Sequence, residues 1–255
     1  MPTDELTPVL RTEGLSKSFG AFRALVDVDL IVKQGSLHAI IGPNGAGKTT
    51  FFNVLTGQLQ PSSGRVLFNG DPVHTLPVHR RAHLGMARSF QITSAYPELP
   101  VHENVRLSAQ AMQPKVRRSV LRPARAYEEP LAVTEEVLQR AGLSAHAKTL
   151  AGNLSHGLSR RLEIAMALAS RPQLLLLDEP MSGMGIDDIS GMEAFLRSLV
   201  PEQTVVLVEH NMPVILAIAD QITVLVRGKV LTEGTPREVA NNQQVREAYL
   251  GRGQV

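Results

Sequence analysis

Residues Gly42-Pro43-Asn44-Gly45-Ala46-Gly47-Lys48-Thr49 form a G-x-x-x-x-G-K-T stretch. This stretch constrains the fold most, because it works only between a strand and a helix. The chain supplies both. Leu37-His38-Ala39-Ile40-Ile41 is apolar and β-branched enough for a buried strand, and Thr49-Thr50-Phe51-Phe52-Asn53-Val54-Leu55 reads as the first turns of a helix. The glycines let successive backbone N–H groups curl around a phosphate, and the helix start favours negative charge. Gly42 to Thr50 are therefore candidate phosphate contacts. Lys48 is placed to reach the β- and γ-phosphates, and the Thr49 hydroxyl to help hold Mg²⁺. The motif implies a nucleoside triphosphate site.

Two further apolar runs end in chemically useful residues. Leu174-Leu175-Leu176-Leu177 stops at Asp178-Glu179-Pro180, and Thr204-Val205-Val206-Leu207-Val208 stops at Glu209-His210. A helical stretch separates them, so they predict a parallel sheet with crossover helices that includes the strand before Gly42. Ligands bind where such strands end. Asp178 is placed to reach Mg²⁺, Glu179 an attacking water, and His210 a γ-phosphate. The stretch from about Val9 to Gly35 predicts a small antiparallel sheet, and Gly64–Gly70 a strand closed by an Asn-Gly turn. From about Val101 to Leu150 the pattern is helical: Val133, Val137 and Leu138 recur at helical spacing, and Gly142 is a helix stop.

Composition excludes several alternatives. The 255 residues are 43% hydrophobic, enough for a substantial core, and the absence of cysteine rules out disulfides and thiolate-held zinc. A formal net charge of +2 is too even for a nucleic-acid footprint. Lys115, Arg117, Arg118, Arg122 and Arg125 make a local basic cluster, read as a solvated loop. The N-terminus has no apolar signal-peptide core, and no apolar run approaches the roughly 18 residues of a membrane span. Work at a membrane would go through a partner. His74, His79 and His83 lack an acidic third ligand, and with Arg80 and Arg81 they read as a solvated basic surface.

With these residues in place, the chain resembles the ATP-binding subunits of ABC transporters over nearly its whole length. Leu154-Ser155-His156-Gly157-Leu158 looks like the signature motif, Gln91 matches the Q-loop glutamine, and Phe19 the aromatic that stacks on adenine. Ala87-Arg88-Ser89-Phe90-Gln91, Val208-Glu209-His210-Asn211-Met212 and Glu247-Ala248-Tyr249-Leu250-Gly251 resemble the branched-chain amino-acid importer branch. His156 and Leu158 depart from the signature's usual glycine and glutamine, and Gly185 stands where the D-loop usually has Asp or Asn.

The resemblance implies an α/β fold: a P-loop, RecA-like ATPase core with a parallel sheet, a small antiparallel β subdomain and an inserted α-helical subdomain. One ATP-binding domain would span 1–255, with the core in 9–92 and 155–226, helices in 93–154 and a tail in 227–255. The implied reaction is ATP hydrolysis. Gln91, Asp178 and Thr49 would arrange Mg²⁺, while Glu179, His210, Gln91 and Lys48 carry the chemistry. Ser155, His156 and Gly157 would contact the ATP of the opposite subunit in a head-to-tail dimer. Implied partners are transmembrane permeases, a second ATP-binding subunit and, indirectly, a periplasmic binding protein. The implied location is the cytoplasmic face of the inner membrane. Urea or amides are alternative solutes, and an exporter or a soluble ATPase of the same family is a further alternative.

Overall fold

The computed structural model describes residues 8–89, 95–112 and 128–250. Gln91 and the basic cluster at 115–125 lie outside the described residues. So does Phe90.

Among the described residues, two sheets share one helix between them. The first is antiparallel, in the order β2-β1-β4-β5, built from β1 (Pro8–Phe19), β2 (Phe22–Lys33), β4 (Ser63–Phe68) and β5 (Asp71–Pro72). Asn69 and Gly70 connect β4 to β5 with φ of 51° and 86°. Two left-handed residues make the tight hairpin that the Asn-Gly pair predicts.

The second sheet runs β10-β9-β3-β8-β7-β6. Its strands are β3 (Leu37–Ile41), β6 (Met86–Arg88), β7 (Leu174–Asp178), β8 (Thr204–Val208), β9 (Gln221–Val226) and β10 (Lys229–Gly234). Five are parallel; β10 alone is antiparallel, paired with β9. The sequence reading assigned this segment to a C-terminal tail. Arg227 and Gly228, with φ of 50° and 77°, instead turn the chain straight back onto the sheet edge.

The sheet is buried on both faces, which explains the unbroken apolar runs. Side chains alternate along each strand. Leu37, Ala39, Ile41, Leu175, Leu177, Val205 and Leu207 face one core, while Ile40, Leu174, Leu176, Val206 and Val208 face the other. The second core is closed by helix α1 (Lys48–Thr56), whose Phe51, Phe52, Val54 and Leu55 are wrapped by β1, β2 and β4. The first core is covered by α5 (His156–Leu168), α6 (Ile186–Ser198) and α7 (Met212–Ile218).

Short α2 (Val78–His83) leads into β6. The helices α3 (Val101–Ala111) and α4 (Glu128–Arg140) pack on one another and on α5. Gly142, at φ 68°, ends α4 as its position predicts. The chain closes with α8 (Pro236–Asn241), begun by a Thr235–Glu238 capping box, and α9 (Gln243–Leu250). No helix among the described residues is long and apolar enough to cross a membrane.

Candidate functional site

Sheet register gathers the site. Ile40 and Asp178 are both paired with Val208, so β3, β7 and β8 end at one level. The phosphate-binding loop, the Asp178-Glu179 pair and Glu209-His210 all leave the sheet at this edge.

The loop is held from behind. Gly228 N–H donates to the Ala46 carbonyl at 2.9 Å, and Val26 N–H to the Gly228 carbonyl at 2.8 Å. Gly47 caps α1 at φ 99°, and a Cβ there would stand 2.6 Å from the Ala24 carbonyl oxygen. Only glycine fits that approach. The first N–H groups of α1 have no intrahelical acceptors and open onto a cavity of about 260 Å³. Residues Asn44 to Thr50, Phe22, Ala24 and Glu179 line it. Lys48 Nζ donates to the carbonyls of Gly42, at 2.6 Å, and Pro43, at 3.2 Å, closing the loop on itself. Burial pushes this ammonium's pKa down, while Glu179 and Asp178 oppose the shift.

Asp178 is buried at the tip of β7, with Arg88 Nη2 at 3.5 Å from its Oδ2. Burial raises its carboxyl pKa, with Arg88 as the main opposing influence. Arg88 also donates to Asn53 Oδ1 and Thr56 Oγ1, each at 3.2 Å, and lies over the Phe52 ring at 4.9 Å. It therefore ties Asp178 to the inner face of α1. Hard oxygen donors in this arrangement, the Thr49 hydroxyl and the Asp178 carboxylate, fit Mg²⁺, which keeps several waters and takes few protein ligands.

Glu179 has φ 46°, a left-handed backbone rare for a side-chain-bearing residue. Its N–H donates to the Val208 carbonyl at 2.9 Å. Its Oε1 lies 3.7 Å from His210 Nδ1, beyond hydrogen-bond length. Glu179 lines the cavity, and the His210 ring stands beside its carboxylate.

Ser155, His156 and Gly157 are not among the residues lining this cavity. Ser155 caps α5, its Oγ accepting the Leu158 N–H at 3.4 Å, and Gly157 is buried against Asp188. His156 turns its ring to the Ser182 carbonyl.

Several residues take places in the structure that the sequence analysis does not assign. Phe22, 66% exposed, is the aromatic that lines the cavity; Phe19 lies outside its lining with the Lys17 ammonium 5.2 Å over its ring. The two are paired across the β1–β2 hairpin, and both are exposed. Glu209 carries its carboxylate inside, bound to the N–H groups of Met181 and His210. Arg81 corrects the expectation of a solvated basic surface. His79, Arg80 and His83 are exposed, but Arg81 is 2% exposed and donates to the carbonyls of Val54, Leu55, Leu76 and His74.

Comparison with known proteins agrees with this geometry. The family described as ABC transporter matches residues 25–182, and that described as branched-chain amino acid ATP-binding cassette transporter matches 229–254. The chain is 35% identical to the high-affinity branched-chain amino acid transport ATP-binding protein BraF of Pseudomonas aeruginosa, over 96% of this chain and 98% of that one. It is 38% identical to the corresponding LivG protein of Salmonella typhimurium, over 96% and 98%. A nucleotide-free ATP-binding cassette from an ABC transporter superposes with a TM-score of 0.84 at 29% identity, covering 96% of this chain and all of that one. A dimeric bacterial ABC transporter cassette gives 0.75 at 26%, covering 89% and 99%.

Proposed function

Because this chain belongs to the ABC transporter family of ATP-hydrolysing subunits, we propose that it powers uptake of branched-chain amino acids as the ATPase of an importer. The observation that carries the reading is residues 229–254. They match a family described by that solute, outside the ATP-binding region that family members share. The full-length similarity to BraF and LivG supports it.

The chemistry is in-line attack of water on the γ-phosphate, where catalysis is mostly positioning and charge stabilisation. Lys48 and the N–H groups of Gly45 to Thr50 hold the phosphates. Mg²⁺, when bound, neutralises charge on the phosphate oxygens, and Thr49, Asp178 and Gln91 would hold it. Glu179 orients the attacking water and takes its proton. His210 donates to a γ-phosphate oxygen. Phe22, with Phe19 behind it in the hairpin, offers an apolar surface to the base.

The signature residues stand off this cavity, so a second subunit completes the site. In a head-to-tail dimer, Ser155 Oγ and the Gly157 N–H at the start of α5 would meet the opposite nucleotide, as a helix N-terminus favours. The second subunit is a copy of this chain or a related polypeptide. The dimer docks on permeases at the cytoplasmic membrane face, near Gln91 and the α3–α4 region.

The test is capture from detergent-solubilised membranes with the Glu179→Gln variant and ATP. Recovery of multi-span permeases, with leucine uptake lost in cells carrying Lys48→Ala, is the expected result. Recovery of soluble partners alone, or unimpaired leucine uptake, would overturn the importer reading.

A further inference from the structure

Two side chains outside the phosphate cavity's lining hold the same turn. The chain leaves β7 at Asp178, turns left-handed at Glu179 and folds back so that the Ser182 N–H donates to the Glu179 carbonyl at 3.1 Å. On one side stands Glu209, 1% exposed. Its Oε1 accepts the Met181 N–H at 3.0 Å, and its Oε2 accepts the His210 N–H at 3.0 Å. On the other side, His156 Nε2 lies 3.0 Å from the Ser182 carbonyl oxygen. A carbonyl only accepts, so Nε2 carries the proton. The neighbouring Gly183, at φ 75°, leaves room for the ring, since a Cβ there would stand 3.2 Å from His156 Nε2.

The contacts are continuous. From the His210 backbone they run through the Glu209 carboxylate to Met181 and Ser182, and from Ser182 to the first residue of α5. A glycine at position 156, usual in the resembled signature, has no side chain with which to make the last bond.

We propose that Glu209 and His156 are positioning residues of a hydrogen-bond relay through Met181-Ser182. The relay fixes Glu179 opposite His210 and ties both to the signature segment of the same subunit. It rests on the reading that this segment serves the opposite subunit's ATP. The relay is then the arm within each subunit that links the state of its own γ-phosphate to the site next door. Glu209 is the stronger anchor, because a buried carboxylate with two N–H donors makes charge-assisted bonds. The solvent-facing imidazole contributes less.

The test is steady-state ATP hydrolysis by the purified full chain across ATP concentrations. Glu209→Gln is expected to lower kcat about tenfold with KM held within about twofold, because the amide offers one acceptor in place of two. His156→Ala is expected to lower kcat about threefold and to bring the Hill coefficient towards unity. His156→Asn, whose amide can donate to Ser182, restores both. The double variant falls no further than Glu209→Gln alone, because both residues act on one turn. Losses that multiply in the double variant would overturn the relay. So would a Hill coefficient unchanged in His156→Ala, an exposed substitution that leaves folding intact even if Glu209→Gln does not fold. A wild-type chain without cooperativity would instead overturn the dimer reading beneath it.

Discussion

His38 sits on β3 at 1% exposure, and burial pushes its pKa down to about 4. Its Nε2 lies 2.7 Å from Thr223 Oγ1, which in turn donates to Glu233 Oε2 at 3.2 Å. The hydroxyl proton is thereby committed, so the imidazole donates from Nε2. Its Nδ1 has no partner among the described residues, so no acceptor waits for a second proton and the ring stays neutral. Above pH 6.5 the ring is neutral folded and unfolded, and it costs nothing. As pH falls below 6.5 the unfolded chain takes up a proton that the folded chain refuses until about pH 4. Stability should therefore drop by about 3 kcal/mol across that window. Urea unfolding at pH 7.5 and pH 4.5 measures this, and His38→Gln should remove most of the His38 share of the drop. Arg81 is the second buried polar case, its pKa pushed down to about 10 by burial. Two of its acceptors, Val54 and Leu55, belong to the last turn of α1, where a cation also complements the helix dipole. Arg81→Met should cost about 3 kcal/mol in urea unfolding, because four carbonyl contacts lose their donor. Arg81→Lys should recover only part, since an ammonium cannot reproduce the guanidinium fork.

Helix α1 is the element on which the site turns: Gly47 and the first residues of the helix line the cavity, and Arg81 closes its end. Gly47→Ala would press a methyl against the Ala24 carbonyl, 2.6 Å away, at a φ of 99°. ATP affinity should fall at least about tenfold, read from binding of a fluorescent ATP analogue. Unchanged affinity would mean that the close backbone approach is dispensable. The elements around α1 were the legible part of the sequence. Strands β3 and β8 begin and end where their apolar runs do, because a strand buried on both faces is nearly continuous in apolar residues, with His38 the one polar residue inside β3 and Thr204 at the start of β8. The reach of a single polar side chain was not legible. Arg81, Arg88 and Glu209 find partners 26 to 90 residues away, or backbone groups that carry no residue code. The neighbours Arg80 of Arg81 and His210 of Glu209 are exposed and look no different in the sequence, so only the folded register separates the buried group from the solvated one.

At the scale of the whole molecule, the residues proposed for the site stand in two places. One cavity holds the phosphate loop, Glu179 and Phe22, while Ser155, His156 and Gly157 stand outside its lining. A chain built this way should hydrolyse ATP only when two copies, or this chain and a relative, close head to tail. Removing the proton acceptor while keeping its shape should stall that closed state, since Glu179→Gln leaves Lys48, Asp178 and the signature segment untouched. The most direct measurement is sedimentation of the Glu179→Gln chain with and without saturating ATP and Mg²⁺. The account predicts a monomer without nucleotide and a stable dimer with it, which dissociates when Ser155→Arg is added. A chain that stays monomeric at saturating ATP, or turns ATP over at the wild-type rate, would contradict it.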